Sequence, residues 1–178
     1  MKFIKTKIPD VFLIENLLFM DNRGSFLKVF NEKFINENNI NFQIKEVYFS
    51  ISKKNVIRGI HFQLPPYQHA KLVYVPHGSI IDVVLELRKS SPYYGKFISV
   101  ELSDKNNKSI YIPEGCGHGF VSLEDDSIVT YLQTSLHNSK YDGGIKWNSF
   151  GMNWHVDEPI ISERDKNFSS FNGFNSPF

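Results

Sequence analysis

Three histidines, a lysine, an arginine and a tyrosine stand in segments that otherwise read as strands: Arg58-Gly-Ile-His61-Phe-Gln63, His69-Ala-Lys71, Gly117-His118-Gly119 and Thr130-Tyr131. A lone histidine in a strand is more often structural than catalytic. Here His61, His69 and His118 accompany Lys71, Arg58 and Tyr131, and closure of strands into a barrel would turn distant inward-facing residues into one cavity. Together these types can move a proton next to a ketone. Histidine titrates near neutrality and can act as the base. Lysine can hold the oxygen of the developing enolate. Tyrosine can return a proton, and inversion requires that it do so from the face opposite the base. Spacing along the chain does not say on which side each group stands.

Histidines in small β-barrels also bind metals, commonly as a pair one residue apart on one strand face with a carboxylate shortly after. Gln63 follows His61 at that distance, and the next candidates are His69 and Lys71. An ammonium beside a divalent cation is repelled. No catalytic metal and no cofactor are expected.

The elements that must position these groups are short β-branched and aromatic runs bounded by Gly, Pro, Asn and Asp. Strands are expected at Val11–Phe19, Glu46–Ser52, Val56–Gln63, Lys71–Val75, Ile80–Arg88, Phe97–Leu102, Ser109–Ile112, Gly119–Leu123 and Ile128–Thr134. Glu32–Glu37 reads as a short helix. Many short strands at regular spacing predict an antiparallel all-β sandwich or barrel. Alternation in Ile80–Arg88 puts Ile81, Val83, Leu85 and Leu87 on one face and Asp82, Val84, Glu86 and Arg88 on the other. In isolation the charged face is expected to be solvated; a polar cavity inside a barrel is the alternative. Beyond Asn153 polar residues dominate, which predicts loops and a short helix lying over the barrel from about residue 150 to 178.

The 178 residues fit one domain, and 41% hydrophobic with 15% aromatic content supports a sizeable core. A net charge of +1 gives no general attraction to nucleic acid or to a membrane surface, so an anionic ligand must meet a local cluster of basic groups. One cysteine, Cys116, excludes an intrachain disulfide. The N-terminus lacks a signal peptide's apolar run, and no apolar run approaches the roughly 20 residues of a membrane span. A cytoplasmic location is expected.

The segments resemble, in order and spacing, the dTDP-4-dehydrorhamnose 3,5-epimerase family. The likeness runs from Asp21 to about Asp165. It rests on Asp21-Asn-Arg-Gly-Ser-Phe26, Val56-Ile-Arg-Gly-Ile-His-Phe-Gln63, Gln68-His-Ala-Lys-Leu-Val73, Asp82–Arg88 with Ser91-Pro92, Ile112-Pro-Glu-Gly-Cys-Gly-His-Gly-Phe120, Tyr131 and Gly144-Ile-Lys-Trp147. The resemblance implies a cupin-type jelly roll, a homodimer, and inversion of C3 and C5 in a nucleotide-linked 4-keto-6-deoxy sugar, of the kind that feeds capsule or lipopolysaccharide assembly. It assigns the base to His61, oriented by Asp165, the acid to Tyr131, and enolate stabilisation to Lys71. His118 and Gln63 would line the substrate pocket. Arg58 and Arg23 would grip the pyrophosphate, Arg23 reaching across the dimer through a swapped N-terminal segment, residues 1 to 30, and Phe26 would be a further substrate contact. Strict alternation puts Arg58 and His61 on opposite faces of their strand, so a bulge or a strong twist at Gly59 is expected.

The chain departs from the family pattern at several positions expected to contact substrate. Lys28 stands where the family usually has Glu, Glu46-Val-Tyr48 where it commonly has Gln-x-Asn, and His137 where a tyrosine stacks on thymine. These changes raise the expectation of a GDP-linked hexose or heptose in place of a dTDP-linked hexose. A single-centre epimerase or keto-isomerase is the competing enzyme, and a non-catalytic sugar-nucleotide-binding barrel the competing class.

Overall fold

The computed structural model describes residues 1–178. In chain order the elements are β1 (Lys2–Lys5), β2 (Phe12–Glu15), β3 (Leu17–Asp21), β4 (Gly24–Lys28), α1 (Glu32–Glu37), β5 (Glu46–Ser52), β6 (Ile57–Gln63) and β7 (Lys71–His77). There follow β8 (Ser79–Glu86), β9 (Phe97–Ser103), β10 (Lys108–Ile112), β11 (Cys116–Ser122), β12 (Ser127–Gln133), β13 (Asp142–Gly144) and α2 (Glu163–Lys166). One sheet has the order β1-β2-β10-β7-β12-β5, a second β13-β6-β11-β8-β9, and β3 with β4 forms a separate hairpin. All pairings within these sheets are antiparallel. From β5 to β13 the chain passes repeatedly from one sheet to the other, which makes a double-sheet jelly roll.

The inner faces of both sheets meet in one core cluster that includes Val73, Val75, Ile110 and Val129 from the larger sheet and Ile80, Val84, Leu102 and Phe120 from the smaller. The outer face of the smaller sheet is covered by residues that follow β13: Ile145 and Trp154, with Phe171, Phe174 and Phe178, pack on Ile57, Phe62, Val83 and Leu85. Ile35 of α1, with Ile40 and Phe42, covers Ile14, Leu72 and Leu132 on the outside of the larger sheet. Asn31 caps α1 by accepting from the Phe34 N–H at 3.2 Å. No helix is long and apolar enough to cross a membrane.

Two strand expectations are corrected. Val11–Phe19 is broken at Asn16, whose N–H donates to the Asn107 carbonyl at 3.1 Å, so that β2 joins the large sheet while β3 leaves it for the hairpin. The charged face of β8 is not solvated: Asp82 and Glu86 are fully buried. Asp82 pairs with His118 at 2.7 Å and Glu86 with Arg88 at 2.7 Å, and these partners offset the desolvation that alternation alone could not anticipate. Strands β1, β4 and β13 were not anticipated. Each is five residues or shorter and carries no sustained alternation of its own.

Candidate active site

Residues of both sheets line a cavity of ≈ 380 Å³. The smaller sheet contributes Arg58, His61, Gln63 and His118; the larger contributes Glu46, Tyr48, Ser50, Lys71, Tyr131 and Gln133. Phe62, Gly119 and Phe120 of the smaller sheet also line it, as do Asp142 on β13, His69, His137 and Arg164.

Arg58 and His61 share the cavity because β6 bulges. Arg58 pairs with Phe120 and His61 with His118, so two residues, Gly59 and Ile60, stand opposite the single Gly119. Gly59 has φ of +124°, and a Cβ there would lie 2.5 Å from Gly119 Cα and 2.8 Å from the His118 carbonyl oxygen. Both neighbours are backbone and cannot turn aside. Gly59→Ala should therefore cost more than the ~1 kcal/mol of an ordinary glycine replacement. Urea unfolding would measure it, and unchanged stability would show that the bulge is not required.

The His61 Nε2 lies 2.9 Å from Asp165 Oδ1, while Asp165 Oδ2 accepts the Gly59 N–H at 3.0 Å. Asp165 is itself buried, and its N–H donates to Ser162 Oγ, the N-cap of α2, at 3.1 Å. Burial raises the Asp165 carboxyl, but the His61 contact, the Gly59 N–H and Ser162 outweigh it and hold the group below the usual carboxylate range. Burial lowers His61, opposed by Asp165 and helped by the charges of Lys71 and Arg164. The pair is thus a neutral imidazole against a carboxylate. A carboxylate only accepts, so Nε2 carries the proton and Nδ1 keeps a free lone pair.

Lys71 is buried, and desolvation brings its ammonium down to about 8, against the charges of Asp142 and Asp82 that favour the cation. The Tyr131 phenol is buried and pushed up by desolvation, so it stays protonated; its hydroxyl lies 3.4 Å from Ser50 Oγ. His118 and Asp82 form a buried pair at 2.7 Å. His69 is pushed down to about 3, by burial first and then by Lys71, and its Nδ1 lies 3.1 Å from the Gln63 amide. It is a far weaker base than the sequence alone indicates.

At the cavity mouth Glu46 Oε2 accepts from Gln133 Nε2 at 2.9 Å and from the His137 N–H at 2.8 Å. Gln63 Oε1 accepts the Asn138 N–H at 2.6 Å, so the loop after β12 is tied to both sheets. Arg164 pairs with Asp142 at 2.6 Å, and His137 lies 3.6 Å from the same carboxylate. Sequence reasoning missed Ser50, Gln133, Asp142 and Arg164 as wall residues. Ser50 and Gln133 were recoverable, being two positions from Tyr48 and Tyr131 along the inward alternation; Arg164 adjoins Asp165, while nothing local marks Asp142.

One chain does not bring Arg23, Phe26 or Lys28 to this cavity. They lie on the β3–β4 hairpin, where the Arg23 side chain is 86% exposed and pairs with its own Asp21. Nor do three or more His, Cys, Asp or Glu side chains gather anywhere to hold a metal ion.

A jelly roll with a His–Asp pair, a buried lysine and a buried tyrosine around one cavity is a cupin-type barrel whose groups can move a proton next to a ketone. The family model for dTDP-4-dehydrorhamnose 3,5-epimerase matches residues 5–173. The enzyme of that name from Methanothermobacter thermautotrophicus is 42% identical over 172 residues, 94% of this chain and 92% of that one. The structure of the Bacillus anthracis enzyme with TDP and PPi bound superposes with a TM-score of 0.92 at 33% identity, covering 95% of this chain and 98% of that one. The Legionella pneumophila enzyme in complex with dTDP-4-keto-L-rhamnose gives 0.93 at 29% identity, over 98% and 94% of the two chains. This chain belongs to the dTDP-4-dehydrorhamnose 3,5-epimerase family.

Proposed function

We propose that the protein inverts C3 and C5 of a dTDP-linked 4-keto-6-deoxy sugar. One observation carries the reading: His61 projects from the smaller sheet and Tyr131 from the larger, so a sugar ring lying between the sheets has a base on one face and an acid on the other. His61 Nδ1 takes the proton as the C–H bond breaks, and the electron pair moves onto the C4 oxygen beside the Lys71 ammonium. Tyr131 then gives its proton to the same carbon from the opposite face and is left as phenolate. Solvent returns a proton to the phenolate and removes one from the imidazolium. Asp165 fixes the His61 tautomer and stabilises its cation.

The relatives support thymidine as the nucleoside. Lys28, like Arg23, lies on the hairpin and would meet the nucleotide only from a second copy of the chain, whereas His137 stands in the cavity wall of the same chain. A homodimer is supported by two apolar exposures. Val47, Phe49 and Ile51 project outward from the edge strand β5, and Phe19, Met20 and Phe26 stand out on the hairpin. In such a dimer a second copy's hairpin would bring Arg23 to the pyrophosphate beside Arg58.

Incubation of dTDP-linked 4-keto-6-deoxyglucose in D2O tests the reading. Deuterium should enter at both C3 and C5 with inversion. Label at one carbon alone would indicate a single-centre epimerase, and no label a binding protein. Calorimetric titration should show dTDP binding more tightly than GDP; the reverse order would restore the guanine reading.

The charge states fix the sign of the pH dependence. Burial lowers His61 below its ordinary 6.5, so the base is already neutral at pH 7 and is lost only as pH falls through that lowered value. The cation on Lys71 is lost as pH rises through about 8. The kcat profile should therefore be bell-shaped, with its alkaline limb near 8 and moved or abolished in Lys71→Arg. An alkaline limb at 10 or above would show that Lys71 is not the group that titrates.

A further inference from the structure

We infer that Tyr48 is a positioning residue for Tyr131, holding the phenol where it can protonate the enolate carbon. The inference rests on the epimerase reading. Tyr48 and Tyr131 are directly opposed on β5 and β12, and their rings stack with centroids 4.8 Å apart and planes 18° from parallel. Tyr131 also meets His118 edge-to-face, with ring centroids 6.0 Å apart and planes at 73°. The Tyr131 hydroxyl has only a 3.4 Å contact to Ser50 Oγ, at the weak end of O–H···O geometry, so ring contacts dominate its placement. Tyr48 in turn is anchored: its hydroxyl donates to Gln133 Oε1 at 3.2 Å, and the Gln133 amide donates to Glu46 Oε2 and the Ser135 carbonyl, each at 2.9 Å. An asparagine, common in the family at this position, has no ring to stack.

Once His61 has removed a proton, the enolate either recovers one on the original face or receives one from Tyr131. Loosening Tyr131 lowers the second rate alone. The measured quantity is the ratio of inverted product to substrate that gains deuterium with retained configuration, in D2O with dTDP-linked 4-keto-6-deoxyglucose. Loss of folded enzyme reduces both amounts equally and leaves this ratio unchanged. Tyr48→Ala should lower it by roughly 2- to 13-fold, the range of one aromatic pair. Tyr48→Phe, which keeps the ring and loses the Gln133 bond, should leave this ratio near the wild-type value, whatever it does to substrate affinity. If Tyr48→Ala does not fold, Tyr48→Leu keeps bulk without a stack and should show the same fall. An unchanged ratio in the ring-less variants, or an equal fall in Tyr48→Phe, would overturn the clamp while leaving the epimerase reading intact. A wild-type protein that admits no deuterium would overturn that reading and the clamp with it.

Discussion

His61→Ala should reduce kcat by about 10²–10⁴-fold, the range removed with a positioned general base. His61 and His118 each hold a carboxylate through Nε2, but the His61 side chain is 28% exposed toward the cavity whereas that of His118 is 3% exposed inside the barrel, and His69 is driven to about 3. Deuterium entry should fall with turnover, because abstraction precedes any choice of face. Asp165→Asn should cost less in rate, since the imidazole loses its orienting acceptor but keeps its lone pair. Asp165 also accepts the Gly59 N–H and so helps hold the bulge, so its variant should lose stability as well. Circular dichroism and urea unfolding separate the two effects. A folded His61→Ala variant with near-normal turnover would remove His61 from the mechanism.

Lys71→Met should abolish most activity and at the same time stabilise the protein. The activity loss follows from withdrawing a buried cation from the enolate oxygen, a contribution on the order of 10²–10³-fold for one such electrostatic partner. The stability gain follows from its titration. Desolvation brings Lys71 from 10.5 in an open chain to about 8 in the fold. Between those values the unfolded chain holds a proton that the native state has released, so stability rises with pH across that window. Below pH 8 the fold bears the full cost of a buried cation, on the order of 3 kcal/mol for a shift of this size. Methionine matches the length of the stem and removes that cost. Thermal unfolding at pH 7 should show a higher Tm for Lys71→Met than for the parent, the difference narrowing as pH approaches 10. A lower Tm at pH 7 would mean that Asp142 and Asp82 more than offset the desolvation.

Much of this protein is legible along the chain because its information is local. Alternating apolar residues and turn-forming clusters located the strands from β5 to β12 within a few residues, and the run Glu32–Glu37 located α1. The groups able to carry out proton transfer were legible too, since their chemistry belongs to the side chain and not to its place. Tertiary structure decided what those groups can do together. Period-two alternation specifies two faces of a strand but not which face is inside; thus Asp82 and Glu86 read as solvated until the second sheet buried them. It also cannot count a bulge, which is why Arg58 and His61 appeared on opposite faces until the pairing with β11 skipped a residue. The break at Asn16 sends the hairpin away from the barrel, and with it Arg23, Phe26 and Lys28, although the order of residues gives no sign of that departure. Above all, the opposition of His61 and Tyr131 depends on β6 and β12 lying in different sheets. Sheet membership is set by pairings between residues far apart in the chain, and no local pattern encodes it.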